Sequence, residues 1–202
     1  MTPTITKYSQ GNEQTYILDA VKHIAHGRLL DIGAWHPTVF SNSRALIEMG
    51  WSGVLVEPSP EPLVNLLKEY GNNETVQLIA AVVGTGPGLS TVHISADAVS
   101  TTEECEYEKW KETATFMGNL IVPRVTLEQL FKMFGPFRFV NIDTEGTSVD
   151  LLKQMIFLIQ HWQVPECICV EHNERREEVY LVAKDFYQIV HANETNLVLK
   201  AL

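Results

Sequence analysis

Short apolar runs alternate with helix-like stretches along most of this chain, and that alternation leaves few folds open to it. The runs lie at 29–34, 53–57, 77–84, 139–143 and 167–171. Each is continuously apolar, as strands covered on both faces are. Strands separated by helices read as a parallel α/β sheet. Two more runs, at 187–190 and 196–199, flank Ala192-Asn193-Glu194-Thr195, a turn-like stretch that predicts a hairpin added at the end of the sheet. Seven strands are expected, mostly parallel, with one antiparallel hairpin strand near the C-terminus.

Local signals fill the gaps with helices. Ser59 before Pro60 fits an N-cap followed by proline in the first turn, and Gly71 marks the stop of a helix over 60–70. Helices are also expected over 14–25, over 42–49 ending at Gly50, and over 125–134 between Thr126 and Gly135-Pro136. Another spans 148–160, where Val149, Leu152, Ile156 and Ile159 share one stripe. The region 85–124 breaks the rhythm. Gly84-Thr85-Gly86-Pro87-Gly88 is a turn, and 89–94 is a strand expected to pair back on the third run. The polar, acidic remainder, with a helix around 106–113, reads as a lid-like insertion over the sheet edge. One domain is expected over 1–202, with an N-terminal segment and helix at 1–28 and the insertion at 85–124.

Charge and cysteines narrow the function. A net charge of −10 argues against wrapping duplex nucleic acid, which needs clustered Lys and Arg, so no nucleic-acid partner is expected. No apolar run reaches the ~18 residues of a membrane span. Residues 1–11 lack the apolar core of a secretory signal, and Cys105, Cys167 and Cys169 read as reduced thiols, so a cytoplasmic location is expected. Cys167 and Cys169 read as buried structural residues, the histidines are scattered, and no metal site is expected.

In open α/β sheets ligands bind beyond the carboxyl ends of the strands. There the first run delivers Asp31, Gly33 and Ala34, followed by Trp35 and His36. The second delivers Glu57 and the third Ala81 and Val82. The fourth delivers Asp143 and Glu145, and the fifth Glu171, His172 and Asn173. An acid ending the second strand accepts hydrogen bonds from ribose hydroxyls, and Glu57 lies near the expected spacing from Gly33. The first loop is not G-x-G-x-x-G, which counts against a nicotinamide dinucleotide.

Several blocks together resemble the FkbM-type family of S-adenosylmethionine (SAM)-dependent methyltransferases. They are Ser9-Gln10-Gly11-Asn12-Glu13, Leu30-Asp31-Ile32-Gly33-Ala34, Phe40-Ser41-Asn42 and Gly50-Trp51-Ser52-Gly53-Val54-Leu55-Val56-Glu57-Pro58. Ser100-Thr101-Thr102, Thr126-Leu127, Asn141-Ile142-Asp143-Thr144-Glu145-Gly146 and Val170-Glu171-His172-Asn173 complete the set. The resemblance implies a Rossmann-like class I methyltransferase fold. It implies SAM held around Asp31, Gly33 and Ala34, Glu57 and Pro58 at the ribose, Ala81 and Val82 near the adenine, Gln10 closing over the cofactor and Asp143 beside it. It also implies O-methylation of a hydroxyl on a sugar, glycan or related small molecule. Asp143, Glu145 and His172 are the candidate catalytic residues, with His172 as base, or a carboxylate orienting the acceptor or helping to bind a divalent ion. The alternative is a non-catalytic SAM- or nucleotide-binding module serving a partner subunit. Where many members carry Asn-Asp-Gly after Asp-Ile-Gly-Ala, this chain has Trp35-His36-Pro37.

Overall fold

The computed structural model describes residues 6–160 and 162–202; the first five residues of the expected N-terminal segment lie outside it. In chain order the elements are α1 (Glu13–Val21), β1 (Arg28–Ile32), α2 (Arg44–Glu48), β2 (Ser52–Val56), α3 (Pro60–Tyr70), β3 (Val76–Ile79), β4 (Val82–Gly84) and β5 (Gly88–Ser95). There follow α4 (Glu104–Trp110), β6 (Phe116–Thr126), α5 (Leu127–Phe134), β7 (Phe139–Ile142), α6 (Ser148–Ile159), β8 (Cys167–Glu171), α7 (Arg176–Ala183), β9 (Tyr187–Ala192) and β10 (Asn196–Ala201).

Seven strands form the main sheet in the order β3-β2-β1-β7-β8-β10-β9. The first five in that order run parallel, and β10 lies antiparallel between β8 and β9. This is the α/β, mostly parallel sheet with a C-terminal antiparallel strand that the apolar runs predict. The strand order reverses between β1 and β7, which opens a crevice at their carboxyl ends.

The continuous apolar runs serve two cores at once. Leu30, Ile32, Val140, Ile142, Ile168 and Val170 pack on one face with side chains of α5, α6 and α7. Leu29, Leu55, Phe139, Cys167 and Cys169 pack on the other with side chains of α1, α2 and α3. Neighbouring residues of one strand thus enter opposite layers, which is why these strands show no polar alternation. Each fully buried aliphatic side chain is worth about 1.5–3 kcal/mol relative to exposure. The two buried cysteines are free thiols in the second of these cores, as expected.

Three expectations are corrected. The run at 77–84 is not one strand: β3 ends at Ile79 in the main sheet, and β4 belongs to a second sheet, β4-β6-β5. Ala80 and Ala81 between them are apolar, so the run hides its own break. Residues 89–94 do not pair back on that run; β5 lies antiparallel on β6, while β4 pairs parallel with the far end of β6. Finally, the expected helix around 106–113 is α4 at Glu104–Trp110, and the end of the region that reads as insertion is a strand, the 11-residue β6. Gly118, Asn119 and Pro123 mask it, and much of the strand is exposed.

Helix ends also differ in detail. Ser59 sits at the N-cap of α3 in extended conformation, but its hydroxyl makes no capping bond. Thr126 does cap α5, in a reciprocal box with Gln129. The helices expected over 14–25 and 42–49 are shorter, at Glu13–Val21 and Arg44–Glu48.

Candidate active site

The carboxyl ends of the parallel strands meet in a cavity of about 400 Å³. The strand ends hold one another in register. The Gly33 and Ala34 amides both donate to the Val56 carbonyl (2.9 and 3.2 Å), Glu57 N donates to Ile79 O (3.0 Å), and Asp143 N to Ile32 O (2.9 Å). Gln10, Asp31, Gly33, Ala34, Glu57, Pro58, Ala81, Val82, Asp143 and Glu145 all line this cavity. Nine of these ten come from strand ends far apart in sequence, which the sheet brings together.

Gly33 is required here for two reasons. Its φ is +81°, and an added Cβ would stand 1.6 Å from the carbonyl oxygen of Asp143. The tight turn after β1 therefore packs directly on the end of β7.

Glu57 is buried, and each carboxylate oxygen accepts one backbone N–H: Oε2 from Trp35 (3.0 Å) and Oε1 from Ser59 (2.7 Å). Burial raises its carboxyl above the usual range, and the two amide donors oppose that shift. Fixed in this way, the carboxylate keeps lone pairs for further hydroxyl donors. The buried Ser59 hydroxyl lies beside it and adds to that opposing pull.

Asp31 lines the cavity and also anchors a buried network. Its Oδ2 accepts from Ser43 Oγ (2.5 Å) and its Oδ1 from Asn141 Nδ2 (2.9 Å). Asn42 Nδ2 donates in turn to Asn141 Oδ1 (3.1 Å). The buried network of Asp31, Ser43, Asn141 and Asn42 ties the loop after β1 to β7. Of these four, the sequence marks only Asp31 as a site residue.

The other half of the cavity is acidic. Carboxylate oxygens of Asp143, Glu145 and Glu171 all lie within 4.8 Å of one another. Burial, then the Glu171 and Glu145 charges, holds the Asp143 carboxyl well above its ordinary range. Burial and the neighbouring Glu171 and Glu106 push Glu145 up to about 8, against a lowering pull from Lys109. Burial likewise raises Glu171. Glu171 is a strand-end acid in the sequence, yet only the folded sheet shows it completing a triad. The insertion reaches this half too: the Thr101 hydroxyl donates to the Glu145 carbonyl (2.7 Å), and Lys109 and Trp110 of α4 line the cavity.

His172 does not join them. It is buried outside the cavity lining. Its Nδ1 accepts from Glu174 N (3.2 Å), which leaves the proton on Nε2, 3.3 Å from the Asn193 carbonyl. With both ring nitrogens committed to backbone, the expectation of His172 as base is corrected to a structural role. His36 Nδ1 similarly accepts from the Thr38 and Val39 amides (3.1 and 3.0 Å), which closes its loop.

Backbone strain gathers at the same place. The non-glycine residues with positive φ among those described are Trp35, Phe40, Glu145, Asn173 and Glu174, and all of them line this cavity. Such conformations cost about 1–3 kcal/mol each and persist where surrounding structure over-determines them, typically at functional sites.

A model of the FkbM methyltransferase domain matches residues 31–193, about four-fifths of the chain. The chain belongs to the FkbM methyltransferase family. Membership implies SAM as methyl donor. No curated protein matches the sequence. Solved structures similar to it include the METTL16 methyltransferase domain, with 11% identity, TM-score 0.54, and coverage of 100% of this chain and 69% of that one. The precorrin-6Y C5,15-methyltransferase from Geobacter metallireducens shows 11% identity, TM-score 0.53, and coverage of 98% and 92%. The N-methyltransferase NodS from Bradyrhizobium japonicum shows 10% identity, TM-score 0.50, and coverage of 94% and 93%. At such identities the likeness concerns the fold, that of class I methyltransferases.

The residues present fit SAM. Glu57, with the Ser59 hydroxyl beside it, offers acceptors suited to a ribose diol, and Gly33 brings backbone to the cavity wall without a side chain. The acidic half suits a cationic sulfonium and ammonium. Ala81 and Val82 supply the apolar wall.

Proposed function

We propose that this protein is an O-methyltransferase acting in the cytoplasm on a hydroxyl of a sugar, glycan or related small metabolite, and not on nucleic acid. The observation carrying the reading is the division of one cavity into a ribose-type half at Glu57 and an acidic, acceptor-rich half at Asp143, Glu145 and Glu171. Among the described residues Lys109 is the only Lys or Arg lining the cavity. A phosphate-rich acceptor would meet repulsion there, whereas hydroxyls find acceptors for their protons.

SAM supplies an activated methyl group in line with its sulfur. The chain's own task is to align an acceptor oxygen with that methyl and to receive the hydroxyl proton. Alignment is worth several kcal/mol of barrier, up to about 7–11 for well-oriented reactants. A positioned base contributes about 10²–10⁴-fold. Glu145, pushed up to about 8, is matched to that task near neutral pH. Asp143 and Glu171 hold the hydroxyl beside it.

The test is incubation with SAM carrying a ¹³C-methyl group and a panel of monosaccharides, glycosides and polyols. Products are read by mass and by the carbon shift of the new methyl. Methyl on oxygen, lost on Glu145→Gln, supports the reading. Methyl on nitrogen, carbon or RNA contradicts it. Binding of S-adenosylhomocysteine with no transfer to any hydroxyl would favour the non-catalytic module.

A further inference from the structure

Among the described residues the carboxylates of the acidic half have no cation bonded to them, although the charge of Lys109 is felt at Glu145. The cations of the same region pair elsewhere: Lys109 with Glu106 (3.3 Å), and Arg175 with Asp150 (3.1 Å) and Glu178 (2.7 Å). Asp143, Glu145 and Glu171 form no ion pair with any Lys or Arg among the described residues.

A second group points to the same place. Asn196 is only 5% exposed and stands directly opposite Glu171 in the β8–β10 ladder. Directly opposed residues of an antiparallel pair project from the same face. Its Nδ2 donates to Glu13 Oε1 and to Thr195 Oγ1 (3.2 Å each). Its Oδ1 is buried and accepts no donor, on a residue that lines the cavity beside Glu171. An unmade bond at a buried amide oxygen costs about 1–3 kcal/mol. A donor or a cation beside that oxygen would satisfy it.

Hard divalent cations hold oxygen ligands at about 2.0–2.6 Å, so ligands on opposite sides of one ion lie roughly 4–5 Å apart. Three carboxylate oxygens within 4.8 Å of one another therefore match the span of a single ion. The donors are all oxygen, with neither sulfur nor imidazole among them, and such a set suits Mg²⁺, Mn²⁺ or Ca²⁺.

We propose that Asp143, Glu145 and Glu171, with the Asn196 amide oxygen, form a binding site for one hard divalent cation at the acceptor end of the cavity. This departs from the expectation of no metal site and takes up the alternative the sequence leaves open, that a carboxylate at Asp143 or Glu145 helps bind a divalent ion. The inference deepens the O-methyltransferase reading and rests on it only for the ion's use, which is to hold an acceptor hydroxyl as a further oxygen ligand.

The test is titration of the full chain with Mn²⁺, followed by electron paramagnetic resonance, with and without S-adenosylhomocysteine. One bound Mn²⁺ per chain is expected, with Mg²⁺ competing. Glu171→Gln and Asn196→Ala should each weaken binding about tenfold or more. Circular dichroism and thermal melting check that both variants remain folded. Asn196→Asp should tighten binding, a gain that a misfolded variant cannot give. The proposal is overturned if Mn²⁺ does not bind at millimolar concentration, or binds equally well to Glu171→Gln. Methyl transfer persisting in chelator, with no bound Mn²⁺, removes the ion and leaves the methyltransferase reading standing. Mn²⁺ held by the three acids in a protein that methylates no hydroxyl supports the site and sinks the O-methyl reading instead.

Discussion

At the residue scale the site depends on positions that tolerate nothing larger or differently bonded. Gly33→Ala would set a Cβ against the Asp143 carbonyl at a backbone angle that L-residues rarely adopt. The expected result is a loss of about 1–3 kcal/mol of stability or more, with S-adenosylhomocysteine affinity reduced at least tenfold. Thermal melting and calorimetry check it; an unchanged variant would show that the turn after β1 is not what it is taken to be. Thiol chemistry offers a second check. Burial pushes the Cys167 and Cys169 thiols far above their ordinary range, whereas Cys105 is exposed. A thiol reagent at pH 8 should label one cysteine in the native protein and all three after denaturation. Gly33 and Glu57 are legible in the sequence because each performs a role that its residue type and strand position announce. Asn42, Ser43 and Asn141 are not, because a polar residue inside a loop or strand carries no sign of its partner. Asn42 and Asn141 are 99 positions apart and meet only in the fold. His172 fails in the opposite direction: its position suggests a base, and two backbone bonds decide otherwise.

At the element scale, the strands buried on both faces are the easiest part to read. Their apolar runs report burial directly, and the β1, β2, β7 and β8 boundaries follow. The second sheet is hidden because its strands obey neither simple pattern. β6 is mostly exposed and interrupted by Gly118 and Pro123, and β4 continues an apolar run that belongs to another sheet. This sheet matters to the site, since α4 and the Thr101 segment joined to it reach the acidic loop. Gly146 shows how close the approach is: an added Cβ would lie 2.8 Å from the Glu106 side chain. The α5 cap gives a measurable quantity at this scale. Thr126→Ala removes the capping box between β6 and α5 and should cost about 1 kcal/mol. Denaturant unfolding checks it, and a change below a few tenths would mean that the box contributes nothing to stability.

At the scale of the whole molecule, the charge of −10 has a local meaning. Asp31, Glu57, Asp143, Glu145 and Glu171 are drawn to one sheet edge and partly stripped of water there. An acid whose carboxyl is raised by folding favours the folded state most fully below its unfolded value. That contribution is lost as pH climbs through the folded value. For Glu145 the window runs from about 4.5 to about 8. The ligand-free protein should therefore melt at progressively lower temperature across that range, and Glu145→Gln should flatten the decline. A melting temperature that rises over the same range would show that the acids are not held as described. A bound cation should offset the decline, which ties the electrostatics of the edge to what it binds.

The central claim is that SAM sits in this cavity with its ribose on Glu57. Calorimetric titration of S-adenosylhomocysteine into the wild-type protein and Glu57→Gln tests it most directly. The amide of the variant can accept on one oxygen only, so one of the Trp35 and Ser59 donors and part of the ribose contact are lost together. The account expects one molecule bound per wild-type chain and affinity at least about tenfold weaker in the variant, about 1.4 kcal/mol. Equal affinity in the two proteins, or no binding to the wild type, would contradict it.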